Sequence, residues 1–187
     1  MKIIASGPAL ERLNDEAFRF AASIRSEGLS EFMTFVTDIG SPQNMAMLSL
    51  VLVCLYWLHR KYVHMIQFAL AMGSVSLITW GLKNLFRAPR PEDSIMVIDG
   101  FSFPSGHAST ATLLFVLVAY TYKGHIKNIW LRRVFIGANV LAVILIGFSR
   151  VYFGVHYATD VIAGIVIAAI MASISIIITE TKFKEAI

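Results

Sequence analysis

The chain has 187 residues, room for one domain, and 57% of them are hydrophobic while only 15% are charged. Soluble domains carry about 45–50% apolar and about 25% charged residues, so the composition excludes an ordinary soluble globule and points to a membrane. The net charge of +4 comes from basic residues scattered between apolar blocks, and no nucleic-acid partner is expected.

The N-terminal stretch MKIIASGPALERLNDE has no apolar run followed by a small-residue cleavage site, so no cleaved signal peptide is expected. Residues 8–39 read as one or two amphipathic helices. Leu10, Leu13, Ala17, Ala21 and Ile24 fall on one face, and Glu11, Arg12, Asp15, Glu16 and Arg19 on the other. Gly28 interrupts the pattern, and Leu29, Phe32, Met33, Val36 and Ile39 resume it. Two placements fit: helices lying in the membrane interface, or a cap packed on the bundle. Gly40-Ser41-Pro42 closes this region.

Five strongly apolar segments follow, at 43–58, 64–86, 106–122, 134–150 and 157–179, of which the first and third are the shortest. With their flanks most reach the 17–25 residues of a spanning helix. The expected fold is all-α: a polytopic transmembrane helical bundle of about five spans with N-terminal amphipathic interfacial helices. A single domain over 1–187 is expected, made of the amphipathic region 1–42, a transmembrane core 43–179 and a cytoplasmic tail 180–187. Trp57, Trp80 and Trp130 stand near segment ends, as interfacial belts require. Cys54 is the only cysteine, which rules out an intrachain disulfide and a cysteine-based zinc site; it reads as a packing residue. The spacing of Gly164 and Ala168 suits close helix packing, within one chain or between two copies, and leaves the oligomeric state open.

Five spans place the 59–63 turn and the 123–133 loop on one side, and the 87–105 loop and the 151–156 turn on the other. The first pair carries Arg60, Lys61, Lys123, Lys127, Arg132 and Arg133 without an acid, so by the positive-inside rule it is cytoplasmic. Lys182 and Lys184 in the tail agree with that. The second pair then faces outward from the inner (plasma) membrane.

Every residue with evident chemistry belongs to the outward group. Lys83, Arg90 and Arg150 together make a pocket for a highly charged oxyanion, since arginine forks match phosphate oxygens and lysine adds a point charge. Pro104-Ser105-Gly106 opens a helix whose free N–H groups suit an anion. His156 and Asp160 are four apart, so on a helix they share a face, and a carboxylate on one ring nitrogen makes the other a better nucleophile. His107 is left as proton donor to a leaving alkoxide. The rival arrangement is a metal site of His107, His156 and Asp160, with Glu92, Asp93 and Asp99 to recruit. Three nearby cations disfavour it, and neither metal nor cofactor is expected.

Taken together these patches resemble the signature of the type 2 phosphatidic acid phosphatase family. That signature is a Lys separated by six residues from Arg-Pro, then Pro-Ser-Gly-His, then Ser-Arg with a His six residues after the Arg and an Asp four beyond. Lys83 with Arg90-Pro91, Pro104 to His107, and Ser149-Arg150 with His156 and Asp160 match it in order across residues 64–179. The resemblance implies a helical bundle with its site near the outer membrane surface. It implies that His156 attacks phosphorus to give a phosphohistidine, that Asp160 orients it, and that His107 protonates the leaving group and later activates water. Lys83, Arg90, Arg150, Ser105 and the Gly106 backbone would bind the phosphate. Many membrane members of the family have six spans, but residues 1–28 offer no further apolar stretch, so five are expected here.

The expected activity is hydrolysis of a lipid phosphate monoester or diphosphate of the lipid bilayer, on the outer face of a bacterial-type inner membrane, with polyprenyl diphosphate, phosphatidylglycerophosphate and phosphatidate as candidates. An alternative is a lipid phosphotransferase using the same histidine with an acceptor other than water. A transporter reading expects broken helices near the midplane and an internal repeat, neither of which is visible.

Overall fold

The computed structural model describes residues 7–183; the expectations that concern the first six residues and Lys184 lie outside it. The described residues form seven α-helices and no strand: α1 (Pro8–Ser23), α2 (Glu27–Ile39), α3 (Pro42–Leu58), α4 (Tyr62–Phe86), α5 (Gly106–Tyr122), α6 (Ile129–Tyr152) and α7 (Ala158–Lys182). Each of the five apolar segments became one helix, and the amphipathic region became two. Helix α6 starts earlier than the hydropathy suggests, because the Asn128 side chain accepts from the N–H groups of Trp130 (2.8 Å) and Leu131 (3.2 Å). Arg132 and Arg133 therefore lie in the first turns of a helix rather than in the 123–133 loop.

Helix α5 is the axis of the bundle, packed against α3, α4, α6 and α7. Its buried residues are small near the start and larger beyond it: Ala108 and Ala111, then Leu113, Leu114 and Leu117. Gly164 of α7 comes so close to the start of α5 that an added Cβ would stand 2.7 Å from the Ser105 carbonyl oxygen. The contact is within one chain, which settles for Gly164 what its spacing left open. The opposite surface is inverted relative to a soluble protein. Leu70, Leu77, Val134, Leu141 and Ile177 are exposed outside the bundle, as are Trp57, Trp80 and Trp130. Cys54 is exposed too, so it faces the surroundings rather than serving as a packing residue.

Helices α4, α6 and α7 are long and apolar enough to cross a membrane, and α2 with α3, bent by 50° at their junction, passes the same test as a pair. Helix α5, with 17 residues, spans about 26 Å at 1.5 Å per residue. The two groups of loops that span parity separates lie at two ends of the bundle. At one, Lys61 Nζ lies 2.9 Å from His125 Nε2; at the other, Arg90 donates to the Val155 carbonyl at 2.7 Å.

Helix α1 packs on α6 and α7, and α2 on α6 and α3. The inward stripe of α1 differs from the apolar face read in the sequence. Asn14 and Ala21 are buried, whereas Leu10 and Leu13 are 42% and 39% exposed. The reason is a tertiary hydrogen bond: Asn14 Oδ1 accepts from the Thr159 N–H at 3.1 Å, satisfying a free donor in the first turn of α7. Arg25, between the two helices, donates to the Tyr152 carbonyl at the end of α6 at 2.8 Å and 3.2 Å, a cation on a helix C-terminus. The amphipathic region is thus docked on the bundle while Leu10, Leu13, Phe20, Phe32 and Phe35 remain exposed.

Candidate active site

Four helix ends meet at one end of the bundle: the C-termini of α4 and α6 and the N-termini of α5 and α7. Helix α4 stops after Phe86, where Arg87 turns left-handed (φ 47°) and its N–H closes on the Lys83 carbonyl at 2.9 Å. Lys83, on the last turn, donates to the carbonyls of Phe101 (2.6 Å) and Ser102 (3.2 Å). Helix α5 starts at Gly106, with Ser105 fully buried as its cap. The first N–H groups of that helix have no partner within it and form an anion-binding end. Nothing but Thr79 Cγ2, at 3.9 Å, stands where a Gly106 side chain would be.

Arg90 ties the centre together. Its guanidinium donates to the carbonyls of Gly100 (3.1 Å), Asp99 (3.2 Å) and Val155 (2.7 Å), and Nη1 lies 3.3 Å from His156 Nε2. His156 and Asp160 are 3% and 4% exposed, with His156 Nδ1 3.5 Å from Asp160 Oδ2. The same carboxylate oxygen accepts from the Tyr157 N–H at 3.0 Å, which fixes it at the first turn of α7. Burial pushes the His156 pKa down to about 4; Asp160 pulls the other way, and Lys83 and Arg90 add to the lowering. The imidazole is therefore neutral at pH 7, the form that holds a nucleophilic lone pair.

Arg150 is 2% exposed, and its Nη1 donates to Thr37 Oγ1 of α2. Its Nε has no hydrogen-bond partner among the described residues, a buried donor turned to no protein group. His107, on the first turn of α5, lies against Gly40 at the α2–α3 bend. All eight residues singled out in the sequence (Lys83, Arg90, Ser105, Gly106, His107, Arg150, His156 and Asp160) thus lie at one end of the bundle. Among the described residues no three His, Cys, Asp or Glu side chains gather as a metal-holding group, and His107, His156 and Asp160 do not form the rival site.

The sequence reading missed three residues. Ser102 is fully buried, with Oγ 2.5 Å from Asp160 Oδ2 and 3.3 Å from His156 Nδ1. Thr37 holds Arg150, and Gly40 makes room for Ile146 beside His107. The 92–103 loop is tied down. The Ile95 N–H donates to the Phe153 carbonyl at 3.1 Å, and Met96 and Ile98 pack on Met33, Tyr152, Phe153 and Val155. Beside His156 opens a cleft of about 260 Å³ whose walls include Asn14, Asp15, Glu92, Asp93 and Tyr157.

A family model of the PAP2 superfamily matches residues 64–184. The chain belongs to the PAP2 superfamily. It is 32% identical to phosphatidylglycerophosphatase B of Bacillus subtilis (strain 168) over 159 residues, 83% of this chain and 78% of that protein. It is 31% identical to an undecaprenyl-diphosphatase of Sulfolobus acidocaldarius over 93 residues, 50% of this chain and 37% of that protein. The crystal structure of a transmembrane PAP2 type phosphatidylglycerolphosphate phosphatase from Bacillus subtilis superposes with a TM-score of 0.83 at 26% identity, covering 97% of this chain and 89% of that one. The family read from the three motifs, the all-helical membrane fold and the class of activity, hydrolysis of a lipid phosphate, are borne out together.

Proposed function

We propose that this PAP2 phosphatase removes phosphate from a lipid headgroup by way of a phosphohistidine on His156. The observation that carries the reading is the placement of the His156 ring. Nε2 lies 3.3 Å from the Arg90 guanidinium, while Nδ1 faces Asp160. A nucleophile of that orientation meets a phosphoryl group held by Arg90 with Lys83, Arg150, the Ser105 cap and the free N–H of Gly106. These donors neutralise the charge that builds on the phosphoryl oxygens in the transition state. His107 takes up a proton as the phosphate dianion binds beside it, gives that proton to the departing lipid alkoxide, and then, neutral again, activates the water that opens the phosphohistidine. The chain's own side chains supply every group this sequence needs, and no metal is required.

The membrane placement is inferred in the same way. Arg60, Lys61, Lys123, Lys127, Arg132 and Arg133 lie at the end of the bundle opposite the site, which supports five spans with the site facing outward from the inner membrane. Among the candidate lipids we favour a phosphate monoester of phosphatidylglycerophosphate type. The relative that carries that name aligns over most of this chain. The cleft beside His156 also has Asp15, Glu92 and Asp93 in its wall. Those carboxylates accept hydrogen bonds from hydroxyls and repel a second phosphate.

The test is phosphate release by the purified protein from phosphatidylglycerophosphate, phosphatidate and polyprenyl diphosphate, each with and without EDTA. Release that persists in EDTA, fastest from the first lipid, is expected. Strict dependence on added magnesium would overturn the metal-free mechanism. Faster release from the diphosphate would overturn the headgroup preference. Transfer to a second lipid with no free phosphate would replace hydrolysis by phosphotransfer.

A further inference from the structure

Ser102 lies in no helix and in none of the motifs, yet it is fully buried among the charged groups of the site. Its backbone is fixed at both ends: the N–H donates to the Ala88 carbonyl at 2.8 Å, and the carbonyl accepts from Lys83 Nζ at 3.2 Å. Its hydroxyl lies between the two members of the His–Asp pair, 2.5 Å from Asp160 Oδ2 and 3.3 Å from His156 Nδ1. The direct Nδ1–Oδ2 separation is 3.5 Å, so the serine oxygen is the nearer of the two acceptors to Nδ1.

The proton count then decides the tautomer. A serine hydroxyl has one hydrogen, and an ionised carboxylate can only accept. The Ser102 hydrogen goes to Asp160, so toward the imidazole the serine oxygen can only accept, and Nδ1 must carry a hydrogen. The opposite side of the ring agrees independently. Nε2 lies 3.3 Å from Arg90 Nη1, and a guanidinium has no lone pair to offer, so Nε2 must be bare.

We propose that Ser102 is a positioning residue of this phosphatase, linking Asp160 to His156 and holding the nucleophile as the Nδ1–H tautomer with Nε2 free. The inference rests on the phosphohistidine reading above and adds to it the group that sets the ring's protonation. During the chemical step the Nε2–P bond forms and the P–O bond to the lipid breaks. The leaving oxygen takes its proton from His107, and the Nδ1 hydrogen stays where it is. The ring becomes cationic on phosphorylation, and the serine oxygen, polarised by its bond to Asp160, accepts more strongly from Nδ1–H at that stage than before. Its contribution therefore falls mainly on the transition state and the intermediate rather than on substrate binding.

The experiment combines ¹⁵N NMR of ring-labelled histidine with steady-state kinetics, using purified protein in detergent with phosphatidylglycerophosphate micelles. In the wild-type protein the His156 ring is expected to show a protonated Nδ1 and an unprotonated Nε2 at pH 7; the reverse pattern overturns the proposal without any variant having to fold. Ser102→Ala is expected to lower kcat by about 10–100-fold with KM changed less than about threefold, the range seen when partners that orient a histidine are removed. Ser102→Thr, which keeps the hydroxyl, is expected to recover most of that loss. In an Asp160→Asn background the Ser102→Ala change is expected to cost much less than it does alone, because the two act through one ring. A loss of the same factor in both backgrounds would show a purely structural role and overturn the proposal. Wild-type protein that releases no phosphate would defeat the phosphatase reading alone, because the tautomer is read without turnover.

Discussion

Gly40 backs directly onto His107: a Cβ added there would stand 3.4 Å from His107 Cδ2 and 2.5 Å from Ile146 Cγ2. The bend between α2 and α3 is therefore a wall of the site as well as a connection. Gly40→Ala must displace Ile146, and with it the packing beside His107, at about 1–3 kcal/mol for overpacking of this kind. Phosphate release is expected to fall at least tenfold, together with a lower melting temperature in detergent. Unchanged turnover with an unchanged melt would show that His107 does not depend on this wall.

Thr37 ties α2 to the proposed phosphate pocket, because its hydroxyl accepts from the buried Arg150 guanidinium. Thr37→Val keeps the shape and removes the acceptor. Hydrogen bonds to charged groups contribute about 1.5–3 kcal/mol, and the expected result is a KM raised about tenfold or more, with Thr37→Ser close to wild type. Equal KM values for the valine and serine variants would remove Thr37 from the site.

These two residues show where the sequence stopped being legible. The ordered motifs singled out Lys83, Arg90, His107, Arg150, His156 and Asp160 as candidates, and span parity grouped them on one side, as the helix ends do in the bundle. Parity works because a helix that crosses the bundle must deliver its ends to opposite faces. Thr37 and Gly40 stand instead in a stretch whose visible signal is amphipathic periodicity, and what they touch belongs to α5 and α6, far away in sequence. Ser102 is harder still. A serine in a 19-residue connection between helices, residues 87–105, carries no periodic signal, and its role comes from tertiary hydrogen bonds alone. Asn14 was hidden for the opposite reason: in a helix with an apolar stripe, a polar residue reads as outward-facing until the donor it satisfies on α7 is seen.

Gly164 sets how closely α7 approaches the start of α5, the proposed phosphate-binding end. A Cβ at this position would lie 2.7 Å from the Ser105 carbonyl oxygen and 2.9 Å from Ser109 Oγ. The first of these neighbours is backbone and cannot rotate away. Gly164→Ala is therefore expected to shift the start of α5, cutting kcat by more than tenfold and stability by about 1–3 kcal/mol. Wild-type kinetics in the alanine variant would mean that the cap tolerates displacement.

The protonation of His156 gives a pH signature. Burial holds its pKa well below the ordinary 6.5, at about 4, so the folded protein keeps the ring neutral as pH falls from 7 toward 5, while the unfolded chain takes up a proton over that interval. By linkage stability rises with pH across this window, and lowering the pH from 7 to 5 costs the folded state free energy at this residue. An NMR titration is expected to show no protonation of His156 above pH 5. A ring that titrates near 6.5 would contradict the depressed value and the environment inferred for the nucleophile.

The most direct measurement is acid-free rapid quenching of the enzyme with a ³²P-labelled lipid phosphate, followed by mapping of the labelled peptide. An acid-labile, base-stable phosphoryl group on His156 that forms and decays within one turnover is the expected result, absent in His156→Ala. Label on any other residue, or full turnover by His156→Ala, would contradict the phosphohistidine mechanism outright.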